Sequence, residues 1–333
     1  MLWRAPCEDA ATIQSHGINS PGETASLMGT IVSVGEVLWD LLPDGEYLGG
    51  APFNFAANCA RFGHRVLLLS AVGRDSLGQR TLEAIQASGV SAELVECVPD
   101  AATGIVRVEF DAEGQPDYTI QRPAAYDFLH LHEEALTSIT DSCPHFLYFG
   151  TLSQIYENNQ KVLTKLIDSL PEALCFYDIN LRKESFNAAL LTRLFPRAHV
   201  VKMNEHETTV VQQLFGTKAR TLEEFCRTYC RKFGWRAAWI TRGPAGCAVF
   251  HDGEFLEVAG YPVASHNPVG AGDAFSAAVC HGMLENWPIR KIAECANKLG
   301  ALITSQPGTV SAWTLRDIDS VAVAGPVDAG DAC

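Results

Sequence analysis

Short apolar runs rich in β-branched and aromatic residues alternate along this chain with longer stretches whose apolar positions recur every three to four residues. The runs at 30–35 (TIVSVG), 65–71 (RVLLLSA), 145–149 (HFLYF), 174–179 (LCFYDI), 198–203 (AHVVKM) and 236–241 (RAAWIT) predict strands. The stretches at 53–62, 75–88, 158–170, 187–195, 205–214, 221–233, 271–285 and 288–304 predict helices. Strands that alternate with helices predict an α/β fold, with a mostly parallel sheet covered on both faces. Ligands then bind outside the carboxyl ends of the strands.

Two segments break the rhythm. Residues 37–48 (VLWDLLPDGEYL) and 103–121 (TGIVRVEFDAEGQPDYTIQ) look like strands or hairpins without crossover helices. They predict a small antiparallel flap, from about 37–50 and 103–123, lying over a site and excluding water from it. Its exposed strands are able to pair across a two-fold axis to make a homodimer; a monomer is equally compatible with the sequence.

Composition narrows the function classes. The chain has 333 residues, 47% hydrophobic and 19% charged, which suits one large α/β domain over about 29–320. A net charge of −14 repels polyanions and argues against nucleic-acid binding. Eleven scattered cysteines include no CxxC pair or zinc spacing, as expected of reduced thiols in a cytoplasmic protein. No apolar run reaches the ~20 residues that span a bilayer. Residues 1–28 lack a secretory h-region and read, like 321–333, as a loose extension.

The densest chemistry is Gly270-Ala271-Gly272-Asp273-Ala274-Phe275, between a β-like stretch (256–263) and a small-residue helix. Glycines let a turn approach a ligand closely, and the unpaired first amides of a helix attract phosphate. Asp273 places a carboxylate beside that anion hole, where it can take a proton from an attacking hydroxyl. No Gly-x-x-x-x-Gly-Lys-Ser/Thr occurs, and the third glycine of a dinucleotide fingerprint is replaced by Phe275.

Other segments supply complementary groups. Gly49 and Gly50 precede a helix carrying Asn54, which both donates and accepts hydrogen bonds as a sugar requires. Asp40 is acceptor-only and can hold two hydroxyls. Asn180 and Arg182 project from the end of an apolar strand, where the guanidinium suits a phosphate. Asn204 and Glu207 share a helix face and can hold a hydrated Mg²⁺; the same pair also describes a helix cap. The turn Thr241-Arg242-Gly243-Pro244-Ala245-Gly246 is either a nucleotide-side loop or a plain β-turn.

Taken in order, these segments resemble the ribokinase-like (PfkB-type) carbohydrate kinases over roughly 30–318, most specifically through VGAGDAF and GGAPFNFA. The resemblance implies a ribokinase-like three-layer α/β/α sandwich with a β lid, Mg·ATP as donor and a sugar hydroxymethyl as acceptor. It implies Asp273 as base and Gly270, Ala271 and Gly272 as anion hole, with Arg182 assisting. Asp40, Gly49, Gly50, Asn54 and Asn180 match the sugar side, and Arg122 falls where fructokinase-like and ketodeoxygluconate kinase-like members often present an arginine that reaches the substrate, or else forms a lid ion pair. Asn204, Glu207, Thr241, Gly243, Gly246, Asn297 and Gly308 match the nucleotide side. GGAPFN and DINLR look more like fructokinases than ribokinases, so fructose leads; ribose, ketodeoxygluconate or a nucleoside as acceptor, and a catalytically silent sensor, are the alternatives. One departure stands out: Asn267 replaces an aspartate that often helps to hold a monovalent cation, so weak or absent K⁺ dependence is expected.

Overall fold

The computed structural model describes residues 28–42, 45–110, 116–183, 185–264, 268–306 and 312–322. Nearly all of the expected extension and tail lies outside the described residues.

In chain order, the first half contains β1 (Thr30–Val34), β2 (Leu38–Leu42), β3 (Gly45–Gly49), α1 (Ala51–Arg61), β4 (Arg65–Gly73), α2 (Ser76–Ala87), β5 (Val95–Val98), β6 (Gly104–Phe110) and β7 (Pro116–Ile120). The middle contains α3 (Glu133–Asp141), β8 (Phe146–Gly150), α4 (Glu157–Ser169), β9 (Leu174–Asp178), α5 (Ala188–Leu194), β10 (Val200–Asn204), α6 (Glu205–Phe215) and α7 (Leu222–Phe233). The last part contains β11 (Ala237–Thr241), β12 (Cys247–His251), β13 (Glu254–Val258), α8 (Ala271–Leu284), α9 (Ile289–Thr304) and α10 (Leu315–Ser320).

Among the described residues, nine strands form one sheet in the order β13-β12-β11-β10-β9-β8-β1-β4-β5. It is parallel except where β12 and β13 turn back antiparallel on β11. Side chains alternate between two cores, as strand pleat requires. Ile31, Leu68, Tyr148, Phe176 and Trp239 join α1, α8 and α9 on one face. Val32, Leu69, Phe149, Tyr177 and Ile240 join α4, α5 and α7 on the other. This is the ribokinase-like three-layer sandwich.

The lid is a four-stranded sheet ordered β3-β2-β6-β7. Its expected antiparallel pattern needs correction: β2 pairs with β6 in parallel, while β2–β3 and β6–β7 are antiparallel. The reason is connectivity. β2 follows β1 and β6 follows β5, strands of one parallel sheet, so both lid strands leave it in the same direction. The last expected strand also shifts, ending at Val258 rather than running to 263. Helix α3 and strand β5 had no clear sequence signal; α3 buries a single residue, Ile139, and β5 is four residues at the sheet edge.

Two backbone turns aim the helices that matter. Gly50 precedes α1 at φ 102°, and a Cβ there would lie 2.5 Å from the Glu36 carbonyl oxygen. Gly270 precedes α8 at φ 84°, a left-handed conformation that glycine adopts without strain. Helix α8 is buried from Asp273 to Met283 and packs its alanines between α1 and α9.

Candidate active site

The carboxyl ends of β1, β8, β9 and β10 converge with the amino-terminal turns of α1 and α8. Asp273, in the first turn of α8, is buried, and its Oδ2 accepts a 2.8 Å hydrogen bond from Asn54 Nδ2. Two segments far apart in sequence, GGAPFN and GAGD, thus meet in one contact. Asn58, a turn further along α1, donates to the Asn54 carbonyl and accepts from Trp313 Nε1, so α1 is braced from behind.

Burial, with the neighbouring charge of Asp178, pushes the Asp273 carboxyl up to about 6, against the opposing pull of Lys202, Asn54 and Arg182. Asp40, on the lid strand β2, is also raised by burial to about 6, with Arg182 opposing. Arg182 itself is exposed and follows Asn180, which sits at φ 37° just past β9.

Below α8 lies a buried ion pair that the sequence reading did not single out. Lys202 Nζ lies 3.1 and 3.2 Å from the two Asp178 oxygens, and Asp178 also accepts from Ser276 Oγ at 2.9 Å and Tyr148 OH at 3.3 Å. A Cβ on Gly272 would fall 2.8 Å from Lys202 Nζ, so the ammonium lies directly under the first turn of α8. Burial pushes Lys202 down, but the carboxylates of Asp178, Glu207 and Asp273 outweigh it and hold the ammonium above its ordinary value. The available signal was a charge at the end of an apolar strand, in CFYD and VVK. Glu36, just past β1, is a third such group: burial raises its carboxyl to about 7.

Of the three amides expected to hold an anion, one is engaged within the chain. The Ala271 amide donates to the Pro268 carbonyl at 3.3 Å. Among the described residues the amides of Gly270, Gly272 and Asp273 have no backbone partner, which leaves them open to an anion.

On the other side of α8, Asn204 and Glu207 form a capping box at the start of α6. Glu207 N donates to Asn204 Oδ1 at 2.8 Å, and Glu207 Oε2 accepts from Asn204 N at 2.7 Å. Glu207 Oε1 accepts from Leu181 N at 2.7 Å. Burial raises the Glu207 carboxyl and Lys202 opposes it. Each carboxylate oxygen keeps a second lone pair, so the pair fits a Mg²⁺ held through water.

Thr241 ends β11 beside Asn204 on β10. Gly243 and Gly246, at φ 54° and 93°, shape the turn that follows, and Gly246 packs on the Val258–Gly260 backbone. Asn297 donates its amide to the carbonyls of Val258 and Ala259, so it fixes that segment. Arg122 is engaged within the lid region: it forms an ion pair with Asp127, donates to the Leu152 carbonyl at 2.9 Å and lies over the Tyr126 and Tyr156 rings. Gly49 ends β3, next to Gly50. Asn267 and Gly308 lie outside the described residues.

The family model described as pfkB family carbohydrate kinase matches residues 44–315. An uncharacterized sugar kinase from Pyrococcus horikoshii is 26% identical over 308 residues, covering 86% of this chain and 93% of its own. A fructokinase from Salmonella typhimurium is 26% identical over 298 residues, covering 84% and 94%. The structure of a fructokinase with bound ATP from Xylella fastidiosa superposes with a TM-score of 0.79 at 20% identity, covering 88% of this chain and 97% of that one.

Proposed function

Because this chain belongs to the pfkB family of carbohydrate kinases, we propose that it transfers the γ-phosphoryl group of ATP to a hydroxymethyl group of fructose. ATP as donor and fructose as acceptor rest on the similarity to fructokinases, one of them with ATP bound.

The observation that carries the mechanism is the buried Asp273–Asn54 contact at the start of α8. Asp273 takes the proton of the attacking hydroxyl as its oxygen bonds to the γ-phosphorus. The bond from that phosphorus to the bridging oxygen breaks, and ADP departs with the electron pair. Asn54 holds the carboxylate in place through Nδ2. The Gly272 and Asp273 amides, the positive end of α8 and the exposed Arg182 offset the charge that gathers on the migrating group. Lys202 adds a fixed cation beneath them, oriented by Asp178. Asp40 and Asn180 complete the acceptor side; Glu207, with Asn204, would hold Mg²⁺ through water. When bound, Mg²⁺ neutralises phosphate charge. Thr241, Gly243 and Gly246 line the nucleotide side.

ADP release from Mg·ATP, measured with fructose, ribose, ketodeoxygluconate, glucose and adenosine, tests the reading. The expected result is turnover with fructose ahead of the rest. ATP binding without turnover of any acceptor contradicts it.

A further inference from the structure

Several buried polar atoms around the end of β1 lack a partner among the described residues: Glu36 Oε2, Asn54 Oδ1, Tyr126 OH and Gln154 Oε1. They belong to one neighbourhood. Asn54 holds Asp273, and Glu36 feels the charges of Asp273, Arg182 and Arg122. The Tyr126 ring lies 5.6 Å from the Arg122 guanidinium, and the Tyr126 hydroxyl feels Glu36. Gln154 donates to Ser153 Oγ, which would meet a Cβ on Gly35 at 3.1 Å.

Orphaned buried polar atoms are costly, and a fold tolerates several together where a ligand supplies the missing bonds. All four are oxygens, two of them amide oxygens that only accept, so the missing partner brings donors. The charges point the same way. Glu36, Asp40 and Asp273 are three carboxyl groups with one cation common to all of them, Arg182; Lys202, which also acts on Asp273, is paired with Asp178. Arg122, the other guanidinium near Glu36, is already engaged by Asp127 and Leu152. A carboxylate on the acceptor would meet like charge, and Arg182, the exposed guanidinium those groups share, is the one the proposed mechanism gives to the phosphoryl group.

We propose that Glu36 is a specificity-determining residue of the acceptor site, accepting a hydroxyl hydrogen bond through Oε2 and, with Asn54 Oδ1, selecting neutral polyhydroxylated acceptors over sugar acids. The proposal rests on the kinase reading above, and it predicts a role for a residue outside the motifs that carried that reading.

The test measures both binding and turnover of fructose and ketodeoxygluconate by the wild type, Glu36→Gln and Glu36→Leu, with the ATP KM and the melting temperature of each. Gln keeps the shape and removes the charge; Leu removes both oxygens. The expected result is a fructose KM and Kd raised about tenfold or more in the Leu variant and less in the Gln variant. The ATP KM stays unchanged, and the preference for fructose over the sugar acid narrows in both. A fructose Kd unmoved in both variants overturns the proposal, as does a wild type that prefers the sugar acid. If the wild type binds fructose without releasing ADP, the kinase reading fails while the change in Kd still decides the role of Glu36. A variant with raised KM for fructose and ATP alike, or one that only loses melting temperature, shows a structural role and overturns the proposal.

Discussion

Asp273 is buried beside the Asp178–Lys202 ion pair, whose two charges act on it in opposite senses. A raised carboxyl, at about 6 rather than the ordinary 3.8, is a stronger base but protonates sooner on acidification. We expect kcat/KM to fall as the pH drops through about 6. Asp40 and Glu36, themselves raised, titrate nearby, so the limb belongs to the group and not to one residue. Lys202 pulls Asp273 down, so Lys202→Met should move the acid limb to higher pH in a pH–rate profile. The same change breaks a buried ion pair, a loss of ~3–5 kcal/mol that denaturant unfolding would register. An unmoved limb in a folded Lys202→Met variant would contradict this assignment. The glycine turn and its aspartate were legible in the sequence because their spacing is local. Asp178, Lys202 and Glu36 were not singled out, because a charge at a strand end gains meaning only when another strand end lies beside it.

Helices α1 and α8, to which the proposed mechanism assigns the acceptor and phosphate sides, each start at a glycine with positive φ. At Gly50 both the φ and the 2.5 Å approach to the Glu36 carbonyl oppose a side chain. Gly50→Ala should therefore cost ~1–3 kcal/mol of stability, read by denaturant unfolding, and raise the fructose KM as α1 and Asn54 shift. A variant with wild-type stability and KM would show that the turn is tolerant. Periodicity placed nearly all the main elements, helped by short continuous apolar runs such as VLLL (66–69) and FLYF (146–149). It had no purchase on α3, which turns a mostly polar face to solvent, or on the parallel pairing of β2 with β6, set by strands more than sixty residues apart in sequence.

At the scale of the whole molecule, the proposed mechanism requires an acidic chain to draw its phosphate affinity from local groups: the amides at the start of α8, Arg182 and Lys202. The replacement of an aspartate by Asn267 predicts little response to K⁺; a several-fold rise in rate with K⁺ at constant ionic strength would contradict that. The raised Asp273 carboxyl also has a cost in stability. The folded state holds that proton more tightly than the unfolded chain, so its contribution declines as pH rises from about 4 to about 6 and the buried charge forms. Asp273→Asn should then melt at or above the wild-type temperature at neutral pH, so lost activity in that variant cannot be ascribed to unfolding. The most direct measurement is the turnover of Asp273→Asn with saturating Mg·ATP and fructose, beside calorimetric binding of fructose to the same protein. We predict a kcat lower by ~10²–10⁴-fold, or about 3–5 kcal/mol of barrier, with fructose binding largely kept. Near-wild-type turnover would contradict the assignment of Asp273 as the base.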